Sequence, residues 1–392
     1  MFANKLAGPA RADTETRLKI RRIGVHELAL GQALRWDVHG ESGGLLAKHG
    51  YVVASENQID MLLERGFISD DSDTNGAPGV YQEPSSALRM LNLARGGLQG
   101  ALELVLQGNF AARAALDEVA ALVAQAVALD SDVALACILL NQQAGGYALR
   151  HAIDSAVVAN VIAGALKRDP AETLSLTMAA LTMNVGMWER HERFQHTVEP
   201  LPAPDLAYLR GHPEAGVALL RAAGIDDEVW LACVLQHHEN EDASGYPQRI
   251  GAALIGAQAK ILMLADRYCA RVSTRTYRKT MLPNAALRDI LLEGKETVDA
   301  QLASVLLREL GIYPVGTFVK LLSGEIGVVT RKGANSTTPH VLSLINPWGS
   351  RLDVPLRRDT KNERHAIGEV LGAEQCALTF RLDQLWGRSA SL

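Results

Sequence analysis

Two adjacent histidines, His237 and His238, end an apolar helical stretch and precede a polar loop that closes with Gly245-Tyr246-Pro247. Neighbouring residues of a helix point about 100° apart, so the two imidazoles can face two sides of one cavity. Neutral imidazole is the commonest metal ligand at physiological pH. The pattern therefore indicates a metal or anion site beside a rigid loop, although a solvated helix end without a ligand fits these two residues equally well.

The stretch from His237 to Pro247, His-His-Glu-x-x-Asp-x-Ser-Gly-Tyr-Pro, resembles the signature loop of the HD-GYP domain. That domain is a branch of the HD metal-dependent phosphohydrolases, whose members typically hydrolyse the bacterial messenger cyclic di-GMP. The resemblance covers roughly residues 130–315. It implies an HD-type helical bundle with a metal centre and a nucleotide ligand beside Tyr246 and Pro247.

The resemblance also implies which residues would hold metal. The matching positions are His151, His212, His237, His238 and Asp266. Three of the imidazoles, those of His212, His237 and His238, could together hold one Zn, Fe or Mn ion. The alternative is that they form a hydrogen-bonded polar cluster around an empty pocket.

The pair of residues that gives the HD superfamily its name is replaced. Where the family has Leu-His-Asp-Ile-Gly-Lys, this chain has Thr182-Met183-Asn184-Val185-Gly186-Met187. The histidine position carries Met183, the aspartate position Asn184, and the position of the phosphate-contacting lysine Met187. We therefore expect a partial metal set with at most one divalent ion, and no catalytic residues.

A basic segment follows Asp266 and resembles the family's Arg-x-Tyr-Arg segment, which helps to hold the phosphates of the dinucleotide. By this resemblance Arg271, Arg275, Tyr277 and Lys279 are candidate ligand-binding residues. Thr276 replaces a usual proline there, and Ala243 replaces the usual glycine of the signature loop. If that loop position needs a positive φ, Ala243 would strain or reshape the loop.

Length and composition limit the remaining possibilities. A chain of 392 residues predicts two or three domains, and a net charge of −5 argues against a dedicated nucleic-acid binder. Four scattered cysteines without CxxC spacing predict neither disulfides nor a zinc finger. No secretory signal and no apolar run long enough to cross a bilayer are found, so a cytoplasmic location is expected.

The fold predicted from these patterns is mainly α: an HD-type helical bundle flanked by a small α+β N-terminal domain and a small β-rich C-terminal extension. The predicted boundaries are a mobile arm at 1–17, the α+β domain at 18–69, a linker at 70–87, the helical domain at 88–310 and the extension at 311–392.

Local patterns give more detailed expectations. Leu45–Ala47 and Tyr51–Ala54 predict a hairpin, and a capped helix should follow Ser55 and end at Gly66. Helices between 85 and 129 should break near Gly96-Gly97 and Gly108, and one helix should run from Thr173 to Met187. His191 and His196 fall in a polar stretch that reads as a solvated loop.

Three functions remain open at this stage. The first is a catalytically degenerate HD-GYP module in cyclic-di-GMP signalling that binds the nucleotide or docks a partner such as a GGDEF-type cyclase, with a homodimer also conceivable. The second is an active cyclic-di-GMP phosphodiesterase that runs on a single metal ion. The third is a helical structural protein that has kept no ligand.

Overall fold

A computed structural model describes residues 20–24, 27–40, 44–54, 56–69, 85–141, 146–273, 280–293, 297–376, 378 and 380–392. The chain divides into two compact units, residues 1–82 and residues 83–392. The arm predicted at 1–17 and residues 70–84 of the predicted linker lie outside the described residues.

The described residues of the first unit form a four-stranded antiparallel sheet and one α-helix. Its elements are β1 (Ile20–Arg22), β2 (Val38–His39), β3 (Leu45–Ala47), α1 (Glu56–Arg65) and β4 (Phe67–Ser69), and the strand order is β1-β4-β2-β3. The helix presents Ile59, Leu62 and Leu63 to the core, a spacing of three and four residues that places them on one face. Helix α1 ends before Gly66, as predicted.

The hairpin predicted between Leu45–Ala47 and Tyr51–Ala54 is wrong. Strand β3 pairs with β2, whereas the segment around Val52 turns back on residues 31–34. The amide of Leu34 donates to the carbonyl of Tyr51 over 2.8 Å, and the amide of Gly31 to that of Val53 over 2.8 Å. Alternating apolar residues show that a strand has a buried face but do not identify its partner strand.

The second unit is built mainly from helices. They are α2 (Ala87–Leu106), α3 (Ala112–Leu129), α4 (Ser131–Leu140), α5 (Tyr147–Ala165), α6 (Pro170–Thr182), α7 (Trp188–His196), α8 (Ala203–Ala222), α9 (Glu228–Gln236), α10 (Ala257–Val272), α11 (Pro283–Glu293) and α12 (Ala300–Leu310). Helix α5 is buried along most of its length and packs against α6 and α10. A helix that is buried on all sides lies in the centre of a bundle, and this bundle confirms the predicted helical fold class.

The N-terminal ends of these helices follow ordinary capping chemistry. Asp130 accepts the amide of Val133 over 3.1 Å at the start of α4. Asp169 accepts the amide of Ala171 over 2.8 Å at the start of α6, where Pro170 occupies the first turn. Each cap satisfies an amide that has no partner inside its helix, so these boundaries are encoded locally.

Two predicted helix boundaries in this unit are wrong. Helix α2 runs through Gly96-Gly97 without a break. A β-carbon added at Gly97 would lie 3.3 Å from Val119, so this glycine allows α3 to pack closely against α2 and does not end the helix. The break at Gly108, with φ of 65°, is confirmed. Helix α6 ends at Thr182 rather than at Met187, and a turn with a short 3₁₀ segment (Val185–Met187) connects it to α7.

A five-stranded antiparallel sheet follows the helices in the same unit. Its strands are β5 (Phe318–Leu321), β6 (Ile326–Arg331), β7 (His340–Ile345), β8 (Arg351–Asp359) and β9 (Ile367–Leu371), in the order β8-β7-β6-β5-β9. The sequence pattern predicts strands within 311–321, 325–329 and 341–345, and β5, β6 and β7 confirm them. It also predicts a strand at 351–354, and β8 continues beyond this segment. Strand β9 and two short helices, α13 (Ala373–Cys376) and α14 (Asp383–Trp386), were not predicted.

The last residues of the chain return to the first helix of this unit. The Ser86 hydroxyl donates to the carbonyl of Ser391 over 2.6 Å, and the Arg89 guanidinium donates to that of Leu392 over 3.2 Å. The N-terminal end of α2 is thus hydrogen-bonded to the C-terminal segment.

Among the described residues, no single helix combines the length and apolar character needed to cross a membrane. Helices α3 and α4 meet those criteria only when taken together, and the chain bends by 112° between them.

Candidate metal and ligand site

Three histidines from two neighbouring segments converge in the second unit. His212 lies within α8, and His237 and His238 follow directly after α9. One ring nitrogen from each of the three lies within 4.8 Å of the others. The Nε2 atoms of His212 and His237 are 3.2 Å apart. The three residues that the sequence offered as a one-ion set are therefore brought together.

Backbone carbonyls fix the orientation of two of these rings. His212 Nδ1 lies 2.5 Å from the carbonyl oxygen of Leu209, and His237 Nδ1 lies 2.7 Å from that of Val234. A carbonyl oxygen only accepts hydrogen bonds, so both Nδ1 atoms carry the proton and a neutral ring keeps a lone pair on Nε2. Metal-ligating histidines are typically held in this way.

The facing nitrogens match what a metal ion requires. Two Nε2 lone pairs that point at each other repel unless a proton or a cation lies between them. A tetrahedral ion with metal–nitrogen distances of 2.0–2.1 Å would separate its ligand nitrogens by roughly 3.3 Å, close to the observed spacing. The three imidazoles and the spacing of the His212–His237 pair thus fit one zinc-type ion.

Burial keeps these imidazoles neutral. Burial, and then the neighbouring His237, lowers the pKa of His212 to about 3. Burial also lowers the pKa of His237, and it lowers that of His238 well below the ordinary value. A neutral imidazole is the form that binds metal.

The two remaining candidate ligands bind each other. His151 Nε2 lies 2.7 Å from Asp266 Oδ1, and both side chains are buried. Burial alone would raise the pKa of Asp266, but the hydrogen bond and electrostatic interaction with His151 outweigh it and lower that pKa strongly. The Asp266 carboxylate therefore already has a hydrogen-bond partner in His151.

The positions that match the HD pair lie in the turn after α6. Met183 and Met187 are buried, and Asn184 is half-buried. Gly186 packs against the backbone of α8, where an added β-carbon would lie 2.1 Å from the carbonyl oxygen of His212. The turn that would supply the missing ligands is thus in contact with the helix that carries His212, and the two methionines leave it apolar.

The signature loop is held by one buried carboxylate. Glu239 accepts the amides of Gln248, Arg249 and Ile250 over 2.6, 3.1 and 3.1 Å. Ala243, at the position where the family usually has glycine, has a φ of 63°. The loop position does need a positive φ, so the expected backbone strain at Ala243 follows. Sequence reasoning gave Glu239 no role, although its place inside the motif was a usable signal.

Tyr246 closes one side of the histidine cluster. Its ring stacks on His238 with centroids 4.7 Å apart and planes 28° apart, and it meets His212 edge-on at 6.5 Å. The bond between Tyr246 and Pro247 is cis. Tyr246 therefore lies beside the imidazoles, and Pro247 follows it directly in the loop.

Among the candidate residues of the basic segment, the structure describes Arg271. Arg271 is engaged in an ion pair with Asp289, with Nε 2.6 Å from Oδ2, which links α10 to α11. Arg275, Tyr277 and Lys279 lie outside the described residues, as do Thr276 and Arg278.

The polar stretch that contains His191 and His196 is helix α7, so the predicted loop is wrong. His191 is buried, which overturns the expectation that it is solvated, whereas His196 is exposed. Tyr147 joins His191 to the site, because its ring meets His191 edge-on at 5.6 Å and stacks on His151 at 5.3 Å. This short amphipathic helix was not predicted because most of its residues are charged or polar, which is also typical of a loop.

Comparison with known proteins agrees with this architecture. A family profile described as an HD domain matches residues 134–302. The cyclic di-GMP phosphodiesterase PA4108 of Pseudomonas aeruginosa is 28% identical over 214 residues, which are 53% of this chain and 51% of that protein. The cyclic di-GMP phosphodiesterase PdeB of Borreliella burgdorferi is 19% identical over 225 residues, 57% of each protein.

A third curated relative is the cyclic di-GMP phosphodiesterase response regulator RpfG of Xanthomonas campestris, 27% identical over 154 residues. That match covers 38% of this chain and 40% of the relative. The chain thus spans about half the length, or less, of the curated relatives it matches.

A solved structure, the HDG"Y"P protein Bd1817 from Bdellovibrio bacteriovorus, aligns with a TM-score of 0.49 and 15% identity. The alignment covers 74% of this chain and 98% of that one. The HD match, the signature loop and the curated relatives agree on one family. These findings support an HD-GYP domain in this chain, with the HD domain match at residues 134–302.

Proposed function

We propose that this chain is a non-hydrolytic HD-GYP module that binds cyclic di-GMP and holds at most one divalent metal ion. The observation that carries the proposal is the contrast at the site: three imidazoles converge, while the adjoining turn presents Met183, Asn184 and Met187. The three relatives named as cyclic di-GMP phosphodiesterases support the choice of ligand.

A two-ion centre is disfavoured by charge. Two divalent ions roughly 3.5–4 Å apart need anionic ligands between them, and an asparagine amide carries no charge. Asp266 is the one carboxylate among the matched ligand positions, and His151 already engages it. Uncompensated cations in a partly dry site are costly.

One ion fits the residues that remain. His212, His237 and His238 would hold it, and such an ion supplies a Lewis acid beside a bound phosphate oxygen. The chain's own contribution is to keep the three rings neutral and oriented and to place Tyr246 next to them.

Loss of the lysine and of the bridging carboxylate removes two contacts that act on the transition state. Removing a single preorganised donor typically costs about 10²–10³ in rate. A module that lacks both contacts should retain ligand recognition better than turnover. Docking of a GGDEF-type cyclase to the signature loop is a second form of the same non-catalytic role.

The alternative is a phosphodiesterase that uses a single metal ion. The specific observation in its favour is the spacing of the Nε2 atoms of His212 and His237, which suits one tetrahedral ion. We retain it as the second candidate.

Elemental analysis, a cyclic di-GMP hydrolysis assay and calorimetric titration with cyclic di-GMP test the proposal together. We expect one ion or fewer per chain, saturable binding and no turnover. His212→Ala should abolish metal uptake, whereas His196→Ala, at an exposed position of α7, should leave it unchanged. Turnover with one ion would support the alternative, and two ions with turnover would refute both accounts. No heat with cyclic di-GMP would remove the nucleotide-binding role and leave the docking form.

A further inference from the structure

Two cationic side chains of α10 bind the signature loop. Lys260 and Arg267 lie about two turns apart on that helix, and therefore on one face of it. The Lys260 ammonium donates to Glu241 Oε1 over 2.5 Å, and the Arg267 Nη2 donates to Asn240 Oδ1 over 2.5 Å. Two consecutive residues of the loop are thus attached to the same helix face.

The same two side chains also bind the segment that leads into α12. Lys260 Nζ lies 3.8 Å from Asp299 Oδ2, and Arg267 Nη1 donates to Thr297 Oγ1 over 3.3 Å. The carbonyl of Thr297 accepts the amide of Glu241 over 3.1 Å, and Asp299 is the N-cap of α12. Lys260 and Arg267, which we call the α10 clamp, therefore join the loop to the start of α12.

The clamp is partly shielded from water. The exposed fraction of the side chain is 13% for Lys260, 20% for Glu241 and 31% for Asp299. Exposed ion pairs contribute little, whereas removal of one partner from a shielded pair leaves the other charge uncompensated. Because two carboxylates share the Lys260 ammonium, its loss would leave two like charges facing the same space. The clamp should therefore influence the loop more than a surface ion pair would.

Backbone contacts inside the loop link the clamped residues to the imidazoles. A β-carbon added at Gly245 would lie 2.4 Å from the amide of Asn240 and 2.5 Å from the carbonyl oxygen of His238. The amide of Tyr246 donates to that same carbonyl over 3.1 Å, and the Tyr246 ring stacks on His238. The loop is thus folded tightly on itself, so a displacement of Asn240 is transmitted to His238 and Tyr246.

We infer that Lys260 and Arg267 are positioning residues of this site. The α10 clamp determines where the signature loop lies, and through the loop it sets the positions of His238 and Tyr246. Functional groups of a site have to be held within roughly 0.5 Å of their working geometry. The inference rests on the proposed function, because it concerns the residues that hold the proposed metal and nucleotide site in shape.

Cobalt(II) titration followed by visible absorption tests the inference, because the absorption bands of this ion depend on the geometry of its ligands. Lys260→Met keeps an apolar stem and removes the charge. We expect it to weaken cobalt affinity at least about tenfold and to change the spectrum. Lys260→Arg, which keeps the charge, should stay close to the wild type. Arg221→Gln is the matched control, because it breaks an exposed ion pair with Glu228 in the same unit.

Hydrogen exchange of the metal-free chain is a second measurement that needs no ligand. Lys260→Met should raise the exchange rate at least about tenfold in residues 239–252 and 297–302, whereas Arg221→Gln should leave both segments unchanged. Adding Glu241→Gln to Lys260→Met removes one uncompensated carboxylate and should recover part of the cobalt affinity. This double variant also replaces Lys260→Met if the single variant does not fold.

Cobalt affinity of Lys260→Met within twofold of the wild type, with the same spectrum, overturns the inference. A lower melting temperature without those changes would show a role in stability alone, which overturns it as well. If the wild-type chain binds no cobalt, the proposed metal site fails and the exchange rates decide. Faster exchange confined to the two segments then upholds the clamp, and unchanged exchange overturns it. Cyclic di-GMP enters neither measurement, so a failure of nucleotide binding remains distinguishable from a failure of the clamp.

Discussion

Asp154 lies on α5, three residues after His151, and its side chain is buried. Burial raises its pKa to about 7, although the charges of Arg95 and Arg150 oppose this. The unfolded chain therefore ionises Asp154 near its ordinary pKa of 3.8, whereas the folded chain keeps the proton until about pH 7. Between those values the folded state binds more protons, so the free energy of unfolding falls as the pH rises.

Asp154→Asn should remove this penalty. Relative to the wild type we expect a gain of at most about 4 kcal/mol near pH 8 and little change near pH 4. Urea unfolding of the variant and the wild type across this range measures the difference. The exposed Asp226→Asn is the control, and an equal pH slope for Asp154→Asn and the wild type would contradict the assignment.

At single residues, some contacts could be predicted from the sequence and others could not. The three histidines were selected from their spacing and from a motif, and the structure brings their ring nitrogens together. The pairing of His151 with Asp266 could not be predicted, since it joins positions 115 residues apart and both were assigned to a metal. The role of Glu239 depends on loop amides, which no side-chain pattern reveals.

At the scale of elements, the contact between the 3₁₀ segment and α8 depends on Gly186. An added β-carbon would lie 2.1 Å from the carbonyl oxygen of His212 and 2.6 Å from the amide of Gly216, so the backbones would have to separate. We expect Gly186→Ala to lower the free energy of unfolding by about 1–3 kcal/mol or more and to weaken metal binding through His212.

Gly211→Ala is the matched control for this prediction. Gly211 lies on α8 beside His212, and an added β-carbon there would meet nothing within 4 Å. Alanine should stabilise that helix by about 0.5–1 kcal/mol. Denaturant unfolding and metal titration of both variants provide the comparison. Equal effects of the two substitutions would show that Gly186 does not determine how closely the 3₁₀ segment packs against α8.

Element boundaries were predictable where a local cap encodes them and not where packing decides. Asp169-Pro170 fixes the start of α6 through its own side chain and ring. The end of α6 at Thr182 depends on how the following turn meets α8, so the apolar period alone extended it too far. The same reason explains the uninterrupted α2 and the wrong hairpin partner in the first unit.

At the scale of the whole molecule, the missing ligands can be restored together. Met183→His, Asn184→Asp and Met187→Lys in one chain should raise the metal content above that of the wild type, because a second anionic ligand then faces the imidazoles. Elemental analysis of the triple variant measures this, with circular dichroism to verify the helix content. Unchanged metal content in a folded variant would mean that the turn after α6 does not face the imidazoles.

The helical fold class and the flanking small sheets followed from composition, period and the family resemblance. The predicted domain boundaries remain predictions. The ligand contacts expected at Arg275, Tyr277 and Lys279 fall outside the described residues. The contacts between distant segments could not be predicted from the sequence, because a burial pattern does not specify which surfaces meet.

The hydrogen bonds from Ser86 and Arg89 to Ser391 and Leu392 place the two ends of the second unit side by side. A short peptide could therefore join residue 392 to residue 85, and new termini could be opened at an exposed turn such as that of Trp348. We expect such a rearranged chain to keep the described helices and strands of this unit. The new termini would also lie far in sequence from the histidine cluster. The site of this unit would therefore form even though its elements follow one another in a different order along the chain.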